Sequence, residues 1–414
     1  MLPFCKDEGF HPPLRGDTLG VSSFSMLFSH RGGFRGTFTM RIIGTEVYRF
    51  SLPFARPVTV GRKVLHDRDG LLIALRAEDN HCGYGEIAPL AGFDSLTLER
   101  CLQDIPSVGK TMNRLFVTCG PLLLAEPLLG MADAPVSSWT GHTLFGVESA
   151  LLGLYLQAGG GKSLINLPLF ADGILRIPVN ALFIPEPAGE GLDRKIRVLK
   201  NSGATTIKIK IGRLPENCEI RQIRILAEEM GAGVSLRLDG NRNLTAAAYR
   251  RYFEALCDLP VEYVEEPLAE AELEKAGDLP WPLALDESLA GILDPEEPRP
   301  SELDPAVKAV ILKPGLLRGL HAMTRAVEDA ERSGIRTILS SAFNSGLTLS
   351  VLGVFSRLAG IPPETAHGLD TLRYLAADIL TPSPELCGGN LEIPAGLLLG
   401  GALLNPSCLK EKVL

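Results

Sequence analysis

The chain has 414 residues, 45% of them hydrophobic and 22% charged, with a formal net charge of −8. That composition supports a large core and, at roughly 100–200 residues per domain, two domains. The negative balance argues against a nucleic-acid groove, and no apolar run reaches the roughly 18 residues of a membrane helix; the eight scattered cysteines, none in a C-x-x-C pair, read as reduced thiols of a cytoplasmic protein.

Residues 1–39 are rich in Gly, Ser, Phe and Pro and show neither a sustained period nor a signal-peptide pattern. They read as a poorly ordered leader, with Met40 a candidate natural start. From Met40 the pattern is strand, turn, strand: "MRIIGTEVYRFSLPF", then "DGLLIALRAE", continued by "HCGYGEIAPL". Helical spacing follows around Leu96–Ile105 and Gly146–Gln157, so residues 40–175 form an α+β module. In residues 176–380 the rhythm changes to short β-like runs alternating with helix-like runs. They are "IPVNALF" then 190–202, "TIKIKIG" then 216–230, "VSLRLDG" then 244–257, "EYVEEP" then 269–275, "PLALDES", "AVILKPG" then 316–333, "RTILSSA" then 345–358, and a weaker eighth around His367. Alternation of this kind means a parallel sheet with right-handed crossovers, and eight units fit a (β/α)8 barrel of TIM type.

"TIKIKIG" (Thr206 to Gly212) places three isoleucines on one strand face and Lys208 and Lys210 on the other. In a barrel the isoleucines meet the helices, and both lysines point to the mouth at the C-terminal end of the strand. The alternative is an edge strand with solvated lysines. Later runs favour the mouth: "LRLDGN" ends in Asp239, "EYVEEP" in Glu265 and Glu266, "LALDES" in Asp286 and Glu287, and "VILKPG" in Lys313. One charged strand end is usually a turn former; five in strand order are a rim. Three converging carboxylates without His or Cys make a hard oxygen site suited to Mg²⁺, with Mn²⁺ as a substitute. Lysines on both sides suit removal of a proton α to a carboxylate, with a lysine pKa depressed by its cationic neighbours.

The set "KIKIG", "LRLDGN", "VEEP", "ALDES" and "VILKPG" resembles the enolase superfamily, in its muconate-lactonising-enzyme-like branch. "GYGEIAPLAGFD" and "GLDTL" (Gly368 to Leu372) look most like the o-succinylbenzoate synthase family of menaquinone biosynthesis. The resemblance implies a modified (β/α)8 barrel, residues 176–380, under an α+β capping domain, residues 40–175, with residues 381–414 packing back on the cap. It implies Mg²⁺ on Asp239, Glu265 and Asp286, Lys210 as proton carrier, Lys208 as its electrostatic neighbour and Lys313 opposite. Arg237 and Asn241 match positions near the site, and Ser340 and Ser341 match substrate-carboxylate positions. The implied reaction is dehydration of 2-succinyl-6-hydroxy-2,4-cyclohexadiene-1-carboxylate, so the partner is a small-molecule carboxylate, with no nucleic acid, no membrane and the oligomeric state open. Gly240, where the family often has Ala, is expected to matter little, whereas a long segment at 115–138 bears on specificity.

Two motifs mislead. "GYGEIA" mimics a dinucleotide fingerprint, but Pro89 follows and no helix opens there, so it reads as a turn near the barrel mouth. "AGGGKS" mimics a P-loop end after a helix rather than a strand and reads as a helix stop. His367 reads as structural. The enzymatic rivals are an N-acylamino acid racemase, a dipeptide epimerase or a muconate cycloisomerase using the same site; the non-enzymatic rival is a scaffold barrel.

Overall fold

A computed structural model describes residues 26–28, 34–36, 38–113, 115–119, 135–160, 170–187, 191–269, 272, 279–398 and 403–414. Most of the expected leader and of the 115–138 segment lies outside these residues. Within the leader, Met26–Phe28 pairs antiparallel with Phe34–Gly36, a hairpin that composition did not announce.

The capping sheet is antiparallel. Strands β1 (Phe38–Val60) and β2 (Lys63–Ala77) form a long hairpin, and β3 (Cys82–Ile87) pairs with β2. The C-terminal strand Leu409–Lys412 pairs with β1, setting Leu409 beside Phe50. Helix α1 (Gly141–Tyr155) covers the sheet; Thr140 caps it by accepting from the Thr143 N–H, five residues before the apolar spacing suggested. The "GYGE" glycines are explained here. Gly83 and Gly85 lie on β3, not in a turn, and a Cβ at either would stand 1.9 Å or 1.8 Å from a carbonyl oxygen of α1, at Ala150 and Gly146 respectively. They bring strand and helix into close contact.

Among the described residues, seven strands form one parallel sheet: β4 (Ala181–Phe183), β5 (Thr206–Lys210), β6 (Ser235–Asp239), β7 (Val261–Glu265), β8 (Leu283–Leu285), β9 (Val307–Leu312) and β10 (Arg336–Leu339), in chain order across the sheet. Residues 367–368 close the ring through parallel bridges Val179 to His367 and Ser340 to Gly368. The crossovers include α2 (Leu192–Ser202), α3 (Glu216–Met230), α4 (Ala246–Leu256), α5 (Gly319–Arg332) and α6 (Gly346–Leu358). The helix expected at 269–275 lies largely outside the described residues. The run "IPVNALF" is not one strand: Ile174–Pro178 pairs antiparallel with Asn390–Pro394, while Val179 bridges to His367 and Ala181–Phe183 forms the barrel strand.

Ile207, Ile209 and Ile211 are fully buried and pack with Ile223 and Leu226 of α3 and Tyr249 and Tyr252 of α4. A second core runs unbroken from Ile42, Leu71 and Ile73 of the cap through Phe145 and Leu151 of α1 to Met323 of α5 and Leu352 of α6. Each such side chain contributes about 1.5–3 kcal/mol by burial, so cap and barrel are held as one body and Leu151→Ala would cost about 2–5 kcal/mol.

Candidate active site

Strand register assembles the site. Lys210 lies beside Asp239 on β6, and Asp239 beside Glu265 on β7. One layer deeper, Lys208, Arg237 and Tyr263 stand in the same row. Asp286 follows β8 and Lys313 follows β9. With both strand faces covered, inward charged side chains at these ends have only each other and the mouth to face.

The Lys208 ammonium donates to both oxygens of Glu265, at 2.6 and 2.7 Å, and lies 2.7 Å from Asp239 Oδ2. Lys210 Nζ donates to Asp239 Oδ2 at 2.6 Å and to Asn241 Oδ1 at 2.7 Å. Lys313 Nζ is 2.5 Å from Asp286 Oδ2, while Asp286 Oδ1 is buried and has no hydrogen-bond partner among the described residues. Phe93, from the cap, lies over Lys313 with 4.1 Å from Nζ to the ring centroid.

Burial pushes the Asp239 carboxyl up, but the charges of Lys208 and Lys210 outweigh it and hold the group below the ordinary range. Glu265 is pushed up to about 8, first by burial and then by the neighbouring Asp239 charge. Burial alone would lower Lys208; Asp239, Glu265 and Asp286 outweigh it and raise the ammonium well above its usual value. Glu287 is raised by burial and by Asp286.

The residues fit a hard divalent ion by donor chemistry. Asp239, Glu265 and Asp286 are all buried, all oxygen donors, and come from three successive strands, and one oxygen of Asp286 is orphaned. Among the described residues, no three His, Cys, Asp or Glu side chains are gathered closely enough to form a ready metal cage. Here lysine ammonium groups take the carboxylate oxygens instead.

A cleft of about 880 Å³ at this mouth is lined by Lys208, Lys210, Asn241, Glu265, Asp286, Lys313, Ser340 and Ser341. Asp239 is not among the residues lining the cleft; it is ion-paired to Lys208 and Lys210, which are. Arg237 does not line it: its guanidinium donates to Glu262 at 2.8 Å and to the Ala366 carbonyl at 2.7 Å, beneath the reacting layer. Glu266, adjacent to Glu265, turns away at φ 39° and accepts from the Asp286 and Ser288 N–H groups, so it shapes the rim. Gly240 matters more than expected, since a Cβ there would lie 2.9 Å from Pro267 Cα. His367 is structural: fully buried, it accepts the Leu339 N–H on Nδ1 at 3.0 Å, and burial lowers its pKa to about 3.

Sequence reasoning missed Phe93, Arg213 and Arg242, which also line the cleft, and the cap residues Val58–Gly61 at the hairpin tip, whereas Glu287, read as a charged strand end, does line it. Phe93 sits inside the quoted "GYGEIAPLAGFD". The signal was present, but nothing local shows that the cap reaches the mouth.

Comparison with known proteins agrees with this geometry. Residues 192–400 match the family model for enolase C-terminal domain-like proteins, and residues 42–114 match that for the MenC N-terminal domain. The o-succinylbenzoate synthase of Klebsiella pneumoniae is 27% identical over 346 residues, covering 82% of this chain and 94% of that protein. The protein of the same name from Aliivibrio fischeri is 28% identical over 361 residues, covering 85% and 96%. Among solved structures, muconate lactonizing enzyme from Pseudomonas fluorescens, complexed with muconolactone, superposes with a TM-score of 0.66 at 19% identity, over 89% of this chain and 99% of that one. Dipeptide epimerase from Methylococcus capsulatus, complexed with Mg and L-Arg-D-Lys, gives 0.65 at 22% identity, over 86% and 97%. With a family model matched over half of its length and a catalytic-type rim on a closed parallel barrel, the chain belongs to the enolase C-terminal domain-like family and is an enzyme of the enolase superfamily.

Proposed function

We propose that the protein is a Mg²⁺-dependent dehydratase that converts 2-succinyl-6-hydroxy-2,4-cyclohexadiene-1-carboxylate to 2-succinylbenzoate, an o-succinylbenzoate synthase acting in the cytoplasm. The observation that carries the reading is that Lys210 and Lys313, both lining one cleft, flank in strand order the three buried carboxylates Asp239, Glu265 and Asp286. The match of the cap to the MenC N-terminal domain favours this reaction over others of the superfamily.

Asp239, Glu265 and Asp286 would hold the metal. When bound, Mg²⁺ would supply positive charge to the substrate carboxylate and stabilise the enediolate. Lys210 accepts the proton from the carbon α to the ring carboxylate; the C–H electron pair moves toward the carboxylate. Asp239 and Asn241, which hold Lys210 Nζ, orient it for that transfer. Lys208 keeps a second positive charge beside it. Lys313 faces the developing negative charge from the other side, braced by Asp286 and Phe93. The protonated Lys210 then returns its proton to the departing hydroxyl on the same ring face; the C–O bond breaks, water leaves and the ring becomes aromatic. A positioned acid/base of this kind contributes about 10²–10⁴-fold.

The same two lysines also serve one-proton exchange at an α-carbon, the chemistry of an N-acylamino acid racemase or dipeptide epimerase. Assay of the purified protein with Mg²⁺ on the cyclohexadiene substrate and on N-acylamino acids separates the two. Formation of 2-succinylbenzoate is expected; racemisation without any of it would overturn the assignment.

A further inference from the structure

One wall of the cleft is the segment after β10: Ser340, Ser341, Ala342 and Phe343. Two buried charged residues of the capping domain grip this segment from behind. Arg68 on β2 is 2% exposed and donates from Nε to the Ala342 carbonyl at 3.2 Å. The rest of its guanidinium fork donates to the cap's own carbonyls at Pro89, Asp69 and Ala88. Glu86 on β3 is equally buried and accepts from Asn344 Nδ2 at 3.0 Å, Ser345 N at 3.1 Å, Ser345 Oγ at 2.5 Å and Thr348 Oγ1 at 2.7 Å. Asn344 Oδ1 in turn accepts from the Ala342 N–H at 2.9 Å. Both peptide groups of Ala342 are therefore tied to the cap, one directly and one through Asn344.

The wall needs such a grip. Phe343 is held at φ 54°, a left-handed conformation that a bulky side chain adopts only when its surroundings impose it. Its ring packs edge-on against Phe54 of the cap at 5.6 Å and Tyr374 at 5.4 Å. Ser345, the N-cap of α6, makes no side-chain cap bond of its own, so Glu86 serves the first turn of a barrel helix from another domain.

We propose that Arg68 and Glu86 are positioning residues: the capping domain fixes the substrate-facing Ser340–Phe343 wall through two buried charges that never enter the cleft. This rests on the reading of that cleft as the active site. It separates binding from chemistry, because the lysines and carboxylates stand on strands that the grip does not touch.

The test uses the full chain carrying Glu86→Gln, Arg68→Lys, and the pair Glu86→Gln with Asn344→Asp. Glu86→Gln sets an amide N–H₂ against buried donors; Asn344→Asp reverses the polarity opposite it and restores a match. Arg68→Lys keeps the charge and loses the fork. For Glu86→Gln, KM for 2-succinyl-6-hydroxy-2,4-cyclohexadiene-1-carboxylate is expected to rise about tenfold while kcat stays within about threefold. Amide exchange across 340–346 should speed up without change across 206–210, and the pair should bring KM back toward wild type. A folded Glu86→Gln with unchanged KM and exchange, or a pair that gives no recovery, overturns the proposal. If Glu86→Gln does not fold, Arg68→Lys decides by the same readouts. Wild-type protein inactive on this substrate would sink the functional reading, and the exchange comparison would still judge the grip.

Discussion

Phe93 of the capping domain lies face-on above the Lys313 ammonium, 4.1 Å from ring centroid to Nζ, so a cap residue completes the environment of a barrel lysine. The contact adds to the ion pair with Asp286 and is worth about 0.5–2 kcal/mol. Phe93→Leu keeps apolar bulk and removes the ring. It should lower kcat/KM by a factor of roughly 2–30, and Phe93→Tyr should restore it. A leucine variant equal to wild type would show that the ring does not serve Lys313.

Lys210→Ala should abolish turnover by at least the roughly 10²–10⁴-fold of a positioned acid/base, with the fold intact. Asp239 would still be paired with Lys208 at 2.7 Å, so no buried charge is left alone. Steady-state rates with near-ultraviolet circular dichroism check both halves. Near-wild-type turnover would remove Lys210 from the mechanism.

Asp286→Asn keeps shape and removes one negative charge from the oxygen donor set. Mg²⁺ affinity by calorimetry should fall at least by the roughly 10–100-fold that losing a ligand's supporting partner costs. Unchanged affinity would mean that the ion, if bound, does not use Asp286.

Stability should carry the signature of Glu148. This residue is fully buried on α1 and accepts the Leu320 and His321 N–H groups at the start of α5, with Arg318 nearby and its Oε1 unpartnered among the described residues. Burial outweighs those contacts and pushes its pKa up from 4.5 to about 8. The folded state therefore keeps a proton that the unfolded chain releases. The contribution is fully present below about pH 4.5 and is lost as pH rises through about 8. Denaturant melts of wild type should lose stability across that window, by at most about 1.4 kcal/mol per pH unit, and Glu148→Gln should remove that component. Parallel profiles for the two proteins would contradict it.

The barrel was legible where physics is local. Strands buried on both faces read as apolar runs, and amphipathic helices such as Glu216–Met230 fall at the limits that spacing gave. Charged residues closing those runs located Lys210, Asp239, Glu265, Asp286 and Lys313 before any contact was known. What escaped depends on partners far away in sequence. "IPVNALF" looked like one strand, yet its first half pairs with residues more than 200 positions later, at Asn390–Pro394. Arg237 shares the inner face with Asp239, but register puts it one layer down, where Glu262 takes it. Glu86 looked like part of a turn; its partners lie about 260 residues away, across a domain boundary that spacing does not reveal.

The most direct test is a crystal structure of the protein grown with Mn²⁺, read by anomalous scattering. The account predicts one strong peak in the cleft, with an oxygen of each of Asp239, Glu265 and Asp286 among its ligands. A peak bound elsewhere, or those three carboxylates still held only by Lys208, Lys210 and Lys313, would contradict it.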